Sequence, residues 1–127
     1  MIAVDTSALM AILLNEPAGE ACRAVLAGES HVLISAGTLA EALIVAGRRN
    51  IDTEMAALVD ALGFEIVAVT AASARRIGEA YTRWGKGAHS AGLNFGDCFA
   101  YETAREHACA LLFVGEDFAR TDVAAAQ

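Results

Sequence analysis

The chain has 127 residues, 56% of them hydrophobic, with a formal net charge of −7, a pI near 4.8 and a mean hydropathy of +0.44. This size and apolar content suit one domain over residues 1–127 with a packed aliphatic core, and they weigh against low-complexity disorder. The acidic balance excludes binding to nucleic acid through bulk charge, so such contact would need a bound cation, local basic patches or a partner.

Residues 2–4 read as a short buried strand ending at Asp5. Thr6 or Ser7 is placed to cap a helix that runs to about Asn15, where Glu16-Pro17 stops it. Asp5 interrupts the apolar start and no basic segment precedes it, so a signal peptide is not expected. A helix over residues 18–26, a turn at 28–30 and a second strand over 31–35 follow. Thr38 and Glu41 have the spacing of a capping box at the head of the next helix, which ends near residues 47–50. Residues 52–62 read as a further helix and 64–69 as the third strand. The long helix over 71–84 carries Arg75, Glu79 and Arg83 at i, i+4 and i+8, a ladder contributing about 0.2–0.5 kcal/mol per pair. Residues 85–94 contain three glycines and read as a flexible loop. Asn94 caps a helix over 96–107, residues 110–114 form the last strand, and the Ala-rich end reads as a frayed helix.

No apolar run reaches the roughly 18–20 residues of a membrane-spanning helix. Cys22, Cys98 and Cys109 are odd in number and lack C-x-x-C spacing, which disfavours a disulfide framework and a structural zinc site. A reducing, cytoplasmic compartment is therefore expected. His31, His89 and His107 show no H-x-x-x-H or H-x-E spacing, so a zinc enzyme is also disfavoured.

The alternation of strands and helices predicts an α/β fold, a three-layer αβα sandwich around a short parallel sheet. Ligands of such sheets lie beyond the carboxyl ends of the strands. Asp5 ends the first strand, Glu41 and Asp97 lie in the first turns of two helices, and Asp117 follows the last strand. Each alone has a structural reading as a cap or turn residue. Four of them at one sheet edge point instead to a cation, because clustered carboxylates repel. Mg²⁺ and Mn²⁺ prefer such hard oxygen ligands, and phosphodiester hydrolysis is the chemistry that uses them.

The run Met1-Ile2-Ala3-Val4-Asp5-Thr6-Ser7-Ala8, the segment Thr38-Leu39-Ala40-Glu41, and the blocks at residues 91–101 and 113–122 together resemble PIN-domain proteins. The last two blocks are similar to those of the VapC ribonuclease toxins of bacterial type II toxin–antitoxin pairs. The resemblance implies a Mg²⁺- or Mn²⁺-dependent endoribonuclease that cuts structured or translated RNA. It also implies a homodimer inhibited by a cognate antitoxin. Asp5, Glu41 and Asp97 fall on the family's three most characteristic acids, with Asp5 and Asp97 as metal ligands and Glu41 and Asp117 acting directly or through water. Many relatives carry Thr-x-Asp-x-Asp-Phe at the fourth site. Here the first of those aspartates is Gly115, and Asp117 falls on the second. Thr6 or Ser7 could add a hydroxyl ligand or hold a water.

Arg49 and Lys86 are the preferred phosphate contacts, since no acid lies at helical spacing within their own helices; Arg75 and Arg83 are assigned to the ladder with Glu79. Trp84 reads as a half-buried helix end rather than a base-stacking residue. The apolar faces carrying Leu9, Ile12, Leu13, Ala21, Val25 and Leu26 are usable in a dimer or by an antitoxin helix, although core packing explains much of them. A haloacid-dehalogenase phosphatase would need an aspartate at Ser7, and a receiver domain a lysine near the C-terminus, whereas Lys86 is the only lysine. A catalytically inactive PIN-like scaffold is the non-enzymatic alternative; retention of the three principal acids argues against it.

Overall fold

Four strands, β1 (Ile2–Val4), β2 (Val32–Ser35), β3 (Glu65–Val67) and β4 (Ala110–Leu112), make one sheet in the order β3-β2-β1-β4 in the computed structural model, which describes residues 1–127. All three pairings are parallel, with Ile2 opposite both Val32 and Ala110. Six helices connect the strands: α1 (Thr6–Leu13), α2 (Gly19–Ala27), α3 (Ala36–Arg48), α4 (Asp52–Leu62), α5 (Ala71–Trp84) and α6 (Phe95–Glu106).

The layering follows from the two-residue period of a strand. Ile2, Val4, Val32, Ile34 and Leu112 point into a cluster with Leu9 and Ile12 of α1, Cys22 and Leu26 of α2, Ala42 and Ala46 of α3, and Met55 and Val59 of α4. Ala3, Leu33 and Leu111 point the other way, against Ile77 and Trp84 of α5 and Cys98, Tyr101 and Ala104 of α6. Both faces of the sheet are thus covered, the architecture expected from the alternating elements.

The structure corrects several local expectations. Asp5, not Thr6 or Ser7, caps α1, and the helix ends at Leu13 before Asn15 turns left-handed at φ 52°. Helix α3 starts two residues earlier than the Thr38 signal, with Ser35 accepting from the Gly37 N–H. Thr38 and Glu41 form no capping box, because Thr38 is buried inside the helix and its Oγ1 has no partner. The Arg75–Glu79–Arg83 ladder does not form. Arg83 instead lies over the Trp84 ring at 4.5 Å and 3.8 Å from Asp122, while Arg76 pairs with Glu102 and Glu106 on α6.

Residues 85–94 are tied down rather than loose. Lys86 N–H donates to Leu93 O, Leu93 N–H to Trp84 O and Ala91 N–H to His89 Nδ1, with Ala91 and Leu93 buried. The Ala-rich end is not helical either. After a 3-10 turn at Phe118–Arg120, the chain returns extended beside β4: Leu111 N–H donates to Ala124 O at 2.8 Å, and Ala126 N–H donates to Leu111 O at 2.9 Å. An edge strand with free amides and carbonyls outweighs the modest helix preference of alanine. The apolar faces of α1 and α2 are mostly spent on each other and the core; the exposed large apolar side chains are elsewhere, among them Leu43 and Ile44 on α3, Ile66 on β3 and Phe95 on α6.

Candidate active site

The carboxyl edge of the sheet collects the acids: Asp5 follows β1, Glu41 lies on the helix after β2, Asp97 lies in the first turn of α6, and Asp117 follows β4. Asp5 leaves β1 as the cap of α1. Its Oδ2 accepts from the backbone N–H of Ser7 at 3.0 Å and from the Ser7 hydroxyl at 2.6 Å. That hydroxyl also accepts from the Val114 N–H at 3.0 Å, which ties Asp5 to the end of β4. Glu41, on α3, takes a 2.7 Å hydrogen bond from the Thr6 hydroxyl. Asp97 closes a capping box on α6: it accepts from the Asn94 N–H and donates its own N–H to Asn94 Oδ1.

Gly96 brings two of these elements together. A Cβ built on it would fall 1.9 Å from Glu41 Oε2, so the carboxylate lies against the bare Cα in the first turn of α6. Only a residue without a side chain permits that approach.

Burial makes the cluster electrostatically tense. Asp5 is 3% exposed, and its pKa is pushed up to about 7, mainly by burial and further by Asp97 and Glu41, against the opposing Ser7 hydrogen bonds. Asp97 is also raised, first by burial, then by Glu41 and Asp117, with the Asn94 N–H and Lys86 opposing. Asp5 and Asp97 therefore each feel the Glu41 carboxylate, and Asp97 also feels that of Asp117. Asp117 is exposed at the head of the 3-10 turn, and Gly115 before it has φ +112°, a region that L side chains rarely adopt.

The donor set suits a hard divalent cation: every group is a carboxylate or hydroxyl oxygen, and Asp5 Oδ1 is buried with no hydrogen-bond partner. The structure gathers the acids at one edge without arranging any three at metal-binding spacing. Glu41 and Asp97 are held by neutral partners, the Thr6 hydroxyl and the Asn94 N–H.

Other expected residues divide. The Thr6 and Ser7 hydroxyls are engaged in holding Glu41 and Asp5, so they position acids. Lys86 lies on the same rim, within range of the Asp97 charge. Arg49 does not join it: it caps the far end of α3, eight residues or about 12 Å of helix beyond Glu41. Trp84 is buried, with its Nε1 donating to Tyr101 Oη at 2.9 Å, and has no face free for a base. Sequence reasoning missed two neighbours of the acids, Gly96 and Phe95, and the anchoring of Arg120 to the 85–94 segment. Gly96 gives no signal beyond its place before Asp97. Arg120 donates to Ser90 O at 3.3 Å across the 85–94 segment, and Phe95 stands 72% exposed beside Gly96. A large apolar residue between the cap Asn94 and the candidate acid Asp97 was the available clue to Phe95.

A family model described as "PIN domain" matches residues 2–124. A protein named Ribonuclease VapC from Mycolicibacterium smegmatis is 41% identical over 125 residues, covering 96% of this chain and 97% of the relative. The fold is similar to that of VapC20 from Mycobacterium tuberculosis, described as a sarcin-ricin loop cleaving toxin. The TM-score is 0.78 at 20% identity, over 97% of this chain and 96% of that one. A toxin–antitoxin complex from Klebsiella pneumoniae contains a chain similar at TM-score 0.73 and 19% identity, over 96% and 93%.

Proposed function

The chain belongs to the PIN-domain family, among its VapC ribonucleases, and from that premise we propose that it is a divalent-metal-dependent endoribonuclease, the toxin of a type II toxin–antitoxin pair. The observation that carries this reading is the buried, unpartnered Asp5 Oδ1 amid three further carboxylates at the carboxyl edge of the sheet. Asp5 and Asp97 are the proposed holders of Mg²⁺, with Mn²⁺ as a substitute; Glu41 and Asp117 act directly or through water. When bound, such an ion neutralises charge on the phosphate and acidifies water. Ser7 holds the Asp5 carboxylate in place, Thr6 holds Glu41, and Lys86 meets phosphate at the rim. An antitoxin partner is supported by the likeness to a chain of a toxin–antitoxin complex, and homodimerisation and a cytoplasmic location complete the reading. No helix is long and apolar enough to cross a membrane.

The test is cleavage of total cellular RNA by the purified protein with Mg²⁺ or Mn²⁺, beside the Asp97→Asn variant and a chelator control. Discrete fragments are expected from the wild type alone, and only with metal. Cleavage that survives both the chelator and the variant would refute the metal assignment. No cleavage, with no metal binding by calorimetry, would favour an inactive scaffold.

A further inference from the structure

Phe95 is the most exposed large apolar side chain of the protein and sits at the lip of the acid cluster. It is the first residue of α6, next to Gly96 against which Glu41 lies and two residues before Asp97. Its ring meets that of Phe99, one turn on, edge to face, with centroids 5.0 Å apart and planes at 85°. Phe99 is itself wedged against α3, where a Cβ on Gly37 would collide with its ring. The Phe95 ring is therefore braced from one side and open to solvent over most of its surface.

Single exposed apolar residues are ordinary on a protein surface. This one shares a rim with groups suited to a phosphodiester chain. The recessed carboxylate of Asp97 has Lys86 within reach of its charge, and Arg120 is held on Ser90 O in the same 85–94 segment that carries Lys86. A strand whose phosphate meets Lys86 beside Asp97 finds an open aromatic ring, Phe95, two residues from that acid. In an A-form duplex each base face is already covered by its neighbour, so an aromatic ring can stack only on an unpaired base.

We propose that Phe95 is a base-stacking platform that selects RNA with an unpaired nucleotide beside the bond to be cut. The inference rests on the nuclease reading and adds to it the residue that would hold the unpaired base.

Steady-state cleavage of one oligoribonucleotide, single-stranded and annealed to its complement, by wild type, Phe95→Leu and Phe95→Trp tests it. Leucine keeps the apolar surface and removes the π face. Stacking is uniform binding, so Phe95→Leu should raise KM for the single strand on the order of tenfold with kcat little changed. Phe95→Trp should restore KM, and the duplex should be a poor substrate for all three. Trp84 is the only native tryptophan and is buried, so emission from the new indole of Phe95→Trp should also quench when the unlabelled single strand is added without metal. Wild-type KM in Phe95→Leu, or equal cleavage of both RNA forms, overturns the proposal. A changed molar mass by light scattering with unaltered KM overturns it in favour of a protein contact. If the wild type cuts no RNA, the nuclease reading fails; the quenching titration then still decides the platform, and an unquenched indole overturns it.

Discussion

Replacing Gly96 with alanine separates the geometry of the site from the stability of the fold. The new Cβ would fall 1.9 Å from Glu41 Oε2 and 2.5 Å from Cδ, whereas ordinary contact begins near 3.4 Å, so the carboxylate must retreat by roughly 1.5 Å. The obstructing atoms belong to the far end of a flexible side chain, so α6 need not move. Loss of the Thr6–Glu41 hydrogen bond costs about 0.5–1.5 kcal/mol. Exchanging glycine for alanine in a helix returns about 0.5–1 kcal/mol. The two nearly cancel, and the melting temperature should change by no more than a few degrees. Activity should not be spared, since a misplacement of about 1 Å at a reacting centre can lower the rate on the order of a hundredfold. Parallel measurements of melting, kcat/KM on RNA and Mg²⁺ affinity by calorimetry would show weakened metal binding and a 10- to 100-fold slower enzyme with an intact fold. Full activity at unchanged stability would mean that the Glu41 position seen here does not matter to function. A collapse of stability would mean that Gly96 serves packing instead.

Ser7→Ala should destabilise the protein by about 1–3 kcal/mol in urea unfolding, because the Asp5 carboxylate loses a donor and the Val114 N–H its acceptor; an unchanged midpoint would dismiss the bridge. Tyr101→Phe removes a hydroxyl that accepts from Trp84 and donates to Asp122, for about 1–3 kcal/mol, and should shift the emission of the lone tryptophan. The raised Asp5 pKa has a sign that can be checked in the metal-free protein. Between the ordinary value of 3.8 and about 7 the folded state holds a proton that the unfolded chain has released. This stabilising contribution is full below pH ~4 and lost as the pH rises through about 7, with Asp97 acting in the same direction. In EDTA, the wild-type melting temperature should therefore fall from pH 5 to pH 8 relative to Asp5→Asn; parallel curves would refute the burial argument.

Much of the fold was legible because two-residue and helical hydrophobic periods are local properties. Ile2, Val4, Val32 and Ile34 announce strands without reference to the rest of the chain, and helices α4 and α5 begin and end at the expected residues. Asn94 was readable as a cap because the bond it accepts comes from three residues away. Errors concentrated where a distant group competes with a local preference. The tail became a strand-like extension because β4 offered free backbone groups and Val123 a place in the core. The expected ladder on α5 gave way to Asp122 and Trp84, and the glycine-rich segment was fixed by backbone bonds to Trp84 and Leu93.

The sequence by itself determined the alternating α/β order, the parallel sheet and the four acids whose positions follow from strand ends. These are set by chain-local chemistry together with the rule that ligands sit beyond the carboxyl edge. Only the tertiary structure decided that Thr6 serves Glu41, that Ser7 ties Asp5 to Val114, and that Glu41 rests on Gly96 beneath an open phenylalanine. Those facts depend on the separation of α3 from α6 and on the burial of Asp5. No local pattern encodes them, because each is a distance between residues tens of positions apart.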